Sequence, residues 1–251
     1  MAASGNPGPT PLRWISGAAT DRGRVRAVNQ DAYLDRPDLG LWAVADGMGG
    51  HSDGALASQS IVESLGGMAH PRLLGSGAAA VRERLRTVNQ RLLDRGALLG
   101  GDLTGSTVVV LLAVGGDCAV LWVGDSRAYR LRSGELTQLT TDHSQVQVMV
   151  DAGIITPEQA EDHPSSNVLL RAVGSHTPLE VDGRIERPQC GDCYLLCSDG
   201  LFRELKSREI ADALAAAEPG AAAASLVKQA CDRGGRDNVT ALVVRCAAIH
   251  S

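Results

Sequence analysis

The sequence predicts an α+β fold: a four-layer α/β/β/α sandwich with two central antiparallel sheets flanked by helices, plus an inserted flap. Three observations predict it. Positions 107–114 and 118–123 are apolar at almost every residue and are joined only by Gly115, Gly116 and Asp117. So short a link makes the strands antiparallel, because a parallel pair needs a crossover of about a dozen residues or more. Continuous apolarity means that both faces of each strand are buried. A second sheet on one side and helices on the other would supply the two covering layers. Helix-period segments at 52–65, 78–98, 205–217 and 221–231 provide those helices.

Composition sets the outer limits. A chain of 251 residues, 44% hydrophobic and 21% charged, can bury one large core. Aromatic residues are only 3%, so that core must be aliphatic. A net charge of -5 with no basic run argues against nucleic-acid binding. Positions 1–12 read as a flexible tail without the basic and apolar regions of a signal peptide, and 13–251 as a single catalytic domain. The longest aliphatic run, 108–114, is far below the ~20 residues that span a bilayer. A soluble, cytoplasmic monomer without membrane contact is expected. Cys190 and Cys193 form one C-x-x-C with no second pair or histidines at matching spacing, so a zinc site is not expected; Cys118, Cys197 and Cys246 read as core thiols.

Along the chain, 13–19 alternates weakly and forms a first strand, turned at 20–23. Positions 32–35 and 41–45 make a hairpin around the turn at 36–40, which places Asp31 and Asp46 near the same edge. The helix from 52, capped by Ser52 or Asp53, stops at Gly66 and Gly67; 71–77 reads as a loop before the helix at 78–98. Positions 128–132 and 135–139 form a more polar hairpin nearer a sheet edge. The segment 140–174 differs: short helices near 146–150 and after Thr156 and Pro157 precede a polar stretch at 162–167. Such a segment between strands is an excursion near the site. Its histidines, His143 and His163, read as solvated loop residues. Strands follow at 179–187, 192–198 and 239–247.

The chemistry lies at the strand ends. Asp46 and Gly47 end the apolar run 41–45; Asp125, Asp199 and Asp237 each border another apolar run, beside Gly124, Gly200 and Asn238. Four such aspartates suggest carboxylates converging on one point. Without accompanying histidine or cysteine pairs, an all-oxygen site suits Mg²⁺ or Mn²⁺. Clustered carboxylates repel, so they need cations or protons. Two ions bridged by carboxylates lie ~3.5–4 Å apart, a spacing that activates water and clamps a phosphate.

Arg26, Asn29, Gln30 and Asp31, the run VADGMGGH at 44–51, Gly105, Ser106 and Thr107, the run VGDSR at 123–127, CSDG at 197–200 and DNVT at 237–240 occur in this order. Together they resemble the metal-dependent Ser/Thr protein phosphatases of type 2C in their compact bacterial form, over about 16–245. The resemblance implies hydrolysis of phosphoserine and phosphothreonine by a metal-bridging water, without a phosphoenzyme. It implies two Mn²⁺ or Mg²⁺ ions with a weaker third. Asp46 would bridge the two ions, with the Gly47 carbonyl on the second, Asp199 and Asp237 on the first, and Asp125 with Asp199 at the third. Asp31 would hydrogen-bond metal-bound water, Arg26 would bind the substrate phosphate, and 140–174 would be the family's flap. The implied partners are phosphorylated proteins, among them a Ser/Thr kinase or its substrates. One departure concerns the general acid. Eukaryotic relatives place a histidine directly after Asp-Gly, where this chain has Met48; His51, three residues later, is a candidate donor, and water held by Asp125 is its rival.

Two other readings stay open on the residues alone. One is a phosphatase of the same fold acting on a small phosphorylated metabolite. The other is an inactive module that binds phosphoproteins, whose signature, a lost metal aspartate, is absent. The chain has no Gly-x4-Gly-Lys loop of the kind that nucleotide hydrolases use.

Overall fold

The computed structural model describes residues 12–49, 53–98 and 104–248. The first strands are β1 (Leu12–Asp21), β2 (Asp31–Arg36) and β3 (Leu41–Met48). Helices α1 (Asp53–Gly66) and α2 (Leu74–Leu98) follow, then β4 (Gly105–Ser106), β5 (Val108–Val114), β6 (Asp117–Val123), β7 (Arg127–Arg132) and β8 (Glu135–Gln138). The flap carries α3 (Gln145–Asp151) and α4 (Pro157–Glu161). The chain continues through β9 (Asp182–Glu186), β10 (Cys193–Cys197), α5 (Asp199–Phe202), α6 (Ser207–Ala216), α7 (Pro219–Asp232) and β11 (Val239–Ala248).

One sheet has the order β1-β11-β10-β7-β8; the other runs β2-β3-β5-β6-β9, with β4 paired to β3. All pairings are antiparallel. Alternation along the strands fills three apolar layers. Trp42, Val44, Val109, Leu111 and Val120 meet Tyr194, Leu196, Leu242 and Val244 between the sheets. Leu41, Ala43, Val108, Val110 and Leu112 face the other way, on to Ile61 and Leu65 of α1 and Val81 and Leu85 of α2. Leu195, Ala241 and Val243 cover Leu214 of α6 and Leu226 of α7 in the third. This is the expected four-layer arrangement, and it explains why β5 and β6 lack a polar face.

Several boundaries differ from expectation. Leu12, assigned to the tail, already pairs with Ala248 in β1; the rest of that tail lies outside the described residues. Helix α2 starts at Leu74 within the expected loop at 71–77, because Gly77 packs directly on Leu112 and Pro71. The strand expected at 179–187 shortens to β9, and a single turn, α5, precedes the helix expected from 205. Among the described residues, no helix is long and apolar enough to cross a membrane.

Leu111→Ala, in the layer between the sheets, should cost about 2–5 kcal/mol of stability. Ile185→Ala, on the exposed face of the edge strand β9, should stay within about 0.5 kcal/mol. Urea unfolding with unchanged slope checks both.

Candidate metal centre

Antiparallel register sets Asp31 directly opposite Asp46 at one end of the β2–β3 pair. The Gly47 amide then donates to the Gln30 carbonyl at 3.1 Å. A Cβ on Gly47 would lie 2.0 Å from the Gly54 carbonyl oxygen, so only glycine lets the first turn of α1 close over this point. Thr107 holds the same turn from the other side: its amide donates to the Asp46 carbonyl at 2.9 Å, and its hydroxyl lies 2.7 Å from that of Ser126, next to Asp125.

The second sheet delivers the other carboxylates. Asp199 opens α5 at the end of β10, and Asp237 precedes β11, the neighbouring strand. Gly200 passes so close to this junction that a Cβ would sit 2.0 Å from the Asn238 carbonyl oxygen. Asn238 braces the loop that carries Arg26. Its amide nitrogen donates to the Arg22 and Val28 carbonyls at 2.9 and 3.0 Å, and its oxygen accepts from the Gln30 amide at 2.8 Å. Arg26 thereby places its guanidinium 2.7 Å from Asp237.

The five aspartates share one electrostatic environment. Withdrawal from water holds the Asp46 carboxyl well above its ordinary range, and the charges of Asp31, Asp199, Asp125 and Asp237 push the same way. Burial lifts Asp31 to about 7, although the hydroxyls of Ser198 and Thr240 each donate to its Oδ2 at 2.7 Å and oppose the shift. Asp125 rises to about 8, first through burial and then through Asp199 and Asp142, against the pull of Arg203 and Arg127. Burial also raises Asp199, which lies within proton-sharing reach of Asp46 and is opposed chiefly by Arg203.

Two buried carboxylate oxygens, Asp31 Oδ1 and Asp199 Oδ1, have no hydrogen-bond donor. Orphaned anionic oxygens in an all-oxygen set suit a hard divalent cation, and the residues fit one. No three carboxylate, imidazole or thiolate side chains are already drawn to coordinating geometry among the described residues. Arginines and protons supply the counter-charge instead: Arg26 for Asp237, and Arg203 for Asp199 at 2.9 Å and Asp125 at 3.7 Å. Arg203 had no signal in the sequence beyond lying one helical turn after Asp199.

The structure changes the reading of one histidine. His143 is buried, not solvated. It stacks on Trp122, its Nδ1 accepts from the Gly124 amide at 3.1 Å, and its Nε2 lies 3.2 Å from Asp182. The polar run around it masked an inward-facing anchor beside Asp125. His163 is a loop residue whose Nδ1 accepts from the Ser165 amide at 3.1 Å. His51 lies outside the described residues. Among the described residues all six cysteines are free; Cys193 of the C-x-x-C is buried and Cys190 exposed.

A model of the family described as Protein phosphatase 2C matches residues 20–238. The serine/threonine protein phosphatase PstP of Mycobacterium tuberculosis is 38% identical over 228 residues, which is 90% of this chain but 44% of that protein. This chain therefore spans less than half the length of that relative. The serine/threonine phosphatase stp of Listeria monocytogenes is 35% identical over 234 residues, 90% of this chain and 93% of its own. Among solved structures, PppA, described as a key regulatory component of T6SS in Pseudomonas aeruginosa, superposes with a TM-score of 0.88 at 42% identity, covering 93% of this chain and 97% of the other. The catalytic domain of PstP in complex with 2 manganese ions gives a TM-score of 0.82 at 36% identity, covering 94% and 99%.

The raised carboxyls fix a sign for pH dependence. Asp31 and Asp125 keep protons in the native state that the unfolded chain releases near pH 4, so the native state binds more protons between about pH 4 and 8 and stability falls as pH rises through that window. Metal-free protein should therefore melt at a lower temperature at pH 8 than at pH 5. Mn²⁺ should raise the pH 8 midpoint most and release protons on binding. Calorimetry in EDTA and in Mn²⁺ checks this; a metal-free midpoint that climbs from pH 5 to 8 contradicts it.

Proposed function

Because the chain belongs to the protein phosphatase 2C family, we propose that it is a metal-dependent phosphatase of phosphoserine and phosphothreonine in proteins. The observation that carries this reading is the meeting of Asp31, Asp46, Asp125, Asp199 and Asp237, from both sheets, within mutual electrostatic reach and beside Arg26. Relatives that bear the names of serine/threonine phosphatases, and one manganese-containing relative, support it.

In this reading Asp46 and the Gly47 carbonyl would hold one Mn²⁺ or Mg²⁺, Asp46, Asp199 and Asp237 would hold another, and Asp125 with Asp199 would hold a third, weaker ion. Such ions supply Lewis-acid charge and a nucleophile at neutral pH. The remaining work belongs to side chains. Arg26, whose side chain is half exposed, exchanges its pairing with Asp237 for a fork on the substrate phosphate. Asp31, braced by Ser198 and Thr240, keeps one oxygen free to orient water. His51 is the candidate proton donor to the departing alkoxide, on its place in the sequence. The substrates are phosphoproteins, among them a Ser/Thr kinase or its targets, met by a monomer in the cytoplasm.

The test is phosphate release from a phosphothreonine peptide, with and without Mn²⁺, beside a panel of small phosphate esters. Release should need the metal and favour the peptide. Asp46→Asn and Asp199→Ala should each lower kcat by a factor on the order of 10³ or more. Neither should lower the metal-free melting midpoint by more than a few degrees, since each relieves repulsion. Wild-type turnover in Asp46→Asn would sink the assignment, and a large fall in midpoint for Asp199→Ala would make that residue structural.

A further inference from the structure

Arg203 joins the carboxylate cluster to the flap with a single side chain. Its Nε lies 2.9 Å from Asp199 Oδ2 and its Nη2 3.7 Å from Asp125 Oδ2. The same Nη2 donates to the Ser166 carbonyl at 3.1 Å, while Nη1 donates to Asn167 Oδ1. The guanidinium fork thus has one edge on two carboxyl groups of the centre and the other on two acceptors of the flap tip.

Little else holds that tip. Among the described residues, the only hydrogen bonds that leave 152–167 for a residue outside 140–174 are these two from Arg203. Helix α4 has no buried residue, Ile154 is 67% exposed, and no residue of 152–167 joins the three apolar layers. The flap's roots, by contrast, are firmly tied. Leu170 donates to the His143 carbonyl at 2.8 Å, Ser106 and Val173 exchange amide bonds at 2.9 Å each, and Arg127 grips Asp142 with its fork while stacking on Phe202 at 3.7 Å. The segment is therefore a strap fixed at both ends and latched at one point in the middle.

We infer that Arg203 is a latch that holds the flap tip over the centre, and that a divalent cation taken up by Asp125 and Asp199 competes with it and frees the tip. A cation between these two carboxylates claims the oxygens that Nε and Nη2 now face, and its charge repels the guanidinium. Once the carboxylates no longer orient the fork, its grip on Ser166 and Asn167 is lost, because the geometry of both edges depends on one rigid plane. Linkage makes the competition reciprocal: removing the guanidinium charge from Asp199 and Asp125 both loosens the latch and tightens that ion. The cation part of this inference rests on the metal-dependent reading above; the latch itself does not.

The experiment is hydrogen exchange of the Ser166 and Val168 amides, which close turns on to His163 and Ser165, with and without Mn²⁺, alongside counting of free Mn²⁺ by its paramagnetic resonance. In metal-free protein, Arg203→Gln should speed exchange at both amides by about tenfold. Mn²⁺ at concentrations that fill the weakest site should speed wild-type exchange towards the mutant rate and leave the mutant unchanged. The weakest Mn²⁺ site should bind about tenfold tighter in Arg203→Gln. Arg203→Lys keeps the charge without the fork, so it should leave that site weak yet free the flap. Wild-type exchange in metal-free Arg203→Gln overturns the latch, and equal Mn²⁺ responses in wild type and Arg203→Gln overturn the competition. Peptide dephosphorylation by the wild-type protein reports separately on the catalytic reading, so failure of one is distinguishable from failure of the other.

Discussion

Mutual repulsion among buried carboxylates is the constraint around which this structure is built. Burial and neighbouring charge raise the proton affinity of Asp31, Asp46, Asp125 and Asp199, with the Asp237 carboxylate beside them, and no ordinary core would tolerate that. The protein answers with three kinds of relief: hydroxyl donors on Asp31, arginines on Asp237, Asp199 and Asp125, and protons retained on carboxyls whose affinity is raised. Each is the sort of compensation that a strong cation replaces. An arrangement that is locally unfavourable without a ligand stores binding energy for one.

Holding such a cluster requires a stiff frame, and the two-sheet sandwich supplies it. Asp46 and Asp199 end strands whose apolar residues are packed on both faces, so neither carboxylate can retreat without disturbing an apolar layer. Close backbone approaches at Gly47 and Gly200 leave no room for the turns to relax outward. Asn238 then cross-links the Arg26 loop to the start of β11, which sets the arginine against Asp237. Rigidity in the frame contrasts with a flap whose middle, among the described residues, hydrogen-bonds the body only through one arginine. The same molecule thus combines a fixed charge centre with a cover whose position that charge can influence.

How much of this is legible in the chain depends on the range of the interaction. The antiparallel sheets, the covering helices and the pairing of Asp31 with Asp46 follow from short turns and apolar runs, which are local signals. The beginning of α2 at Leu74 does not, because glycines at positions 75 and 77 resemble a loop until Leu112 is seen beneath Gly77. His143 looks solvated within a polar stretch, yet Trp122 and Gly124, remote in sequence, bury it. Arg203 resembles any exposed helical arginine until the flap is placed over it.

The sequence by itself determined which residues carry negative charge to strand ends, which runs must be buried on both faces, and hence a layered fold with an oxygen-rich centre. Periodicity, glycine positions and turn length act over a few residues and leave that trace in the chain. Only the tertiary structure decided which counter-charge each carboxylate meets, that Asp31 is braced by Ser198 and Thr240, and that one guanidinium spans Asp199, Asp125 and the flap. Apart from the pairing of Arg203 with Asp199 one helical turn away, those are contacts between segments tens to hundreds of residues apart, and their geometry exists only after the two sheets have closed on each other.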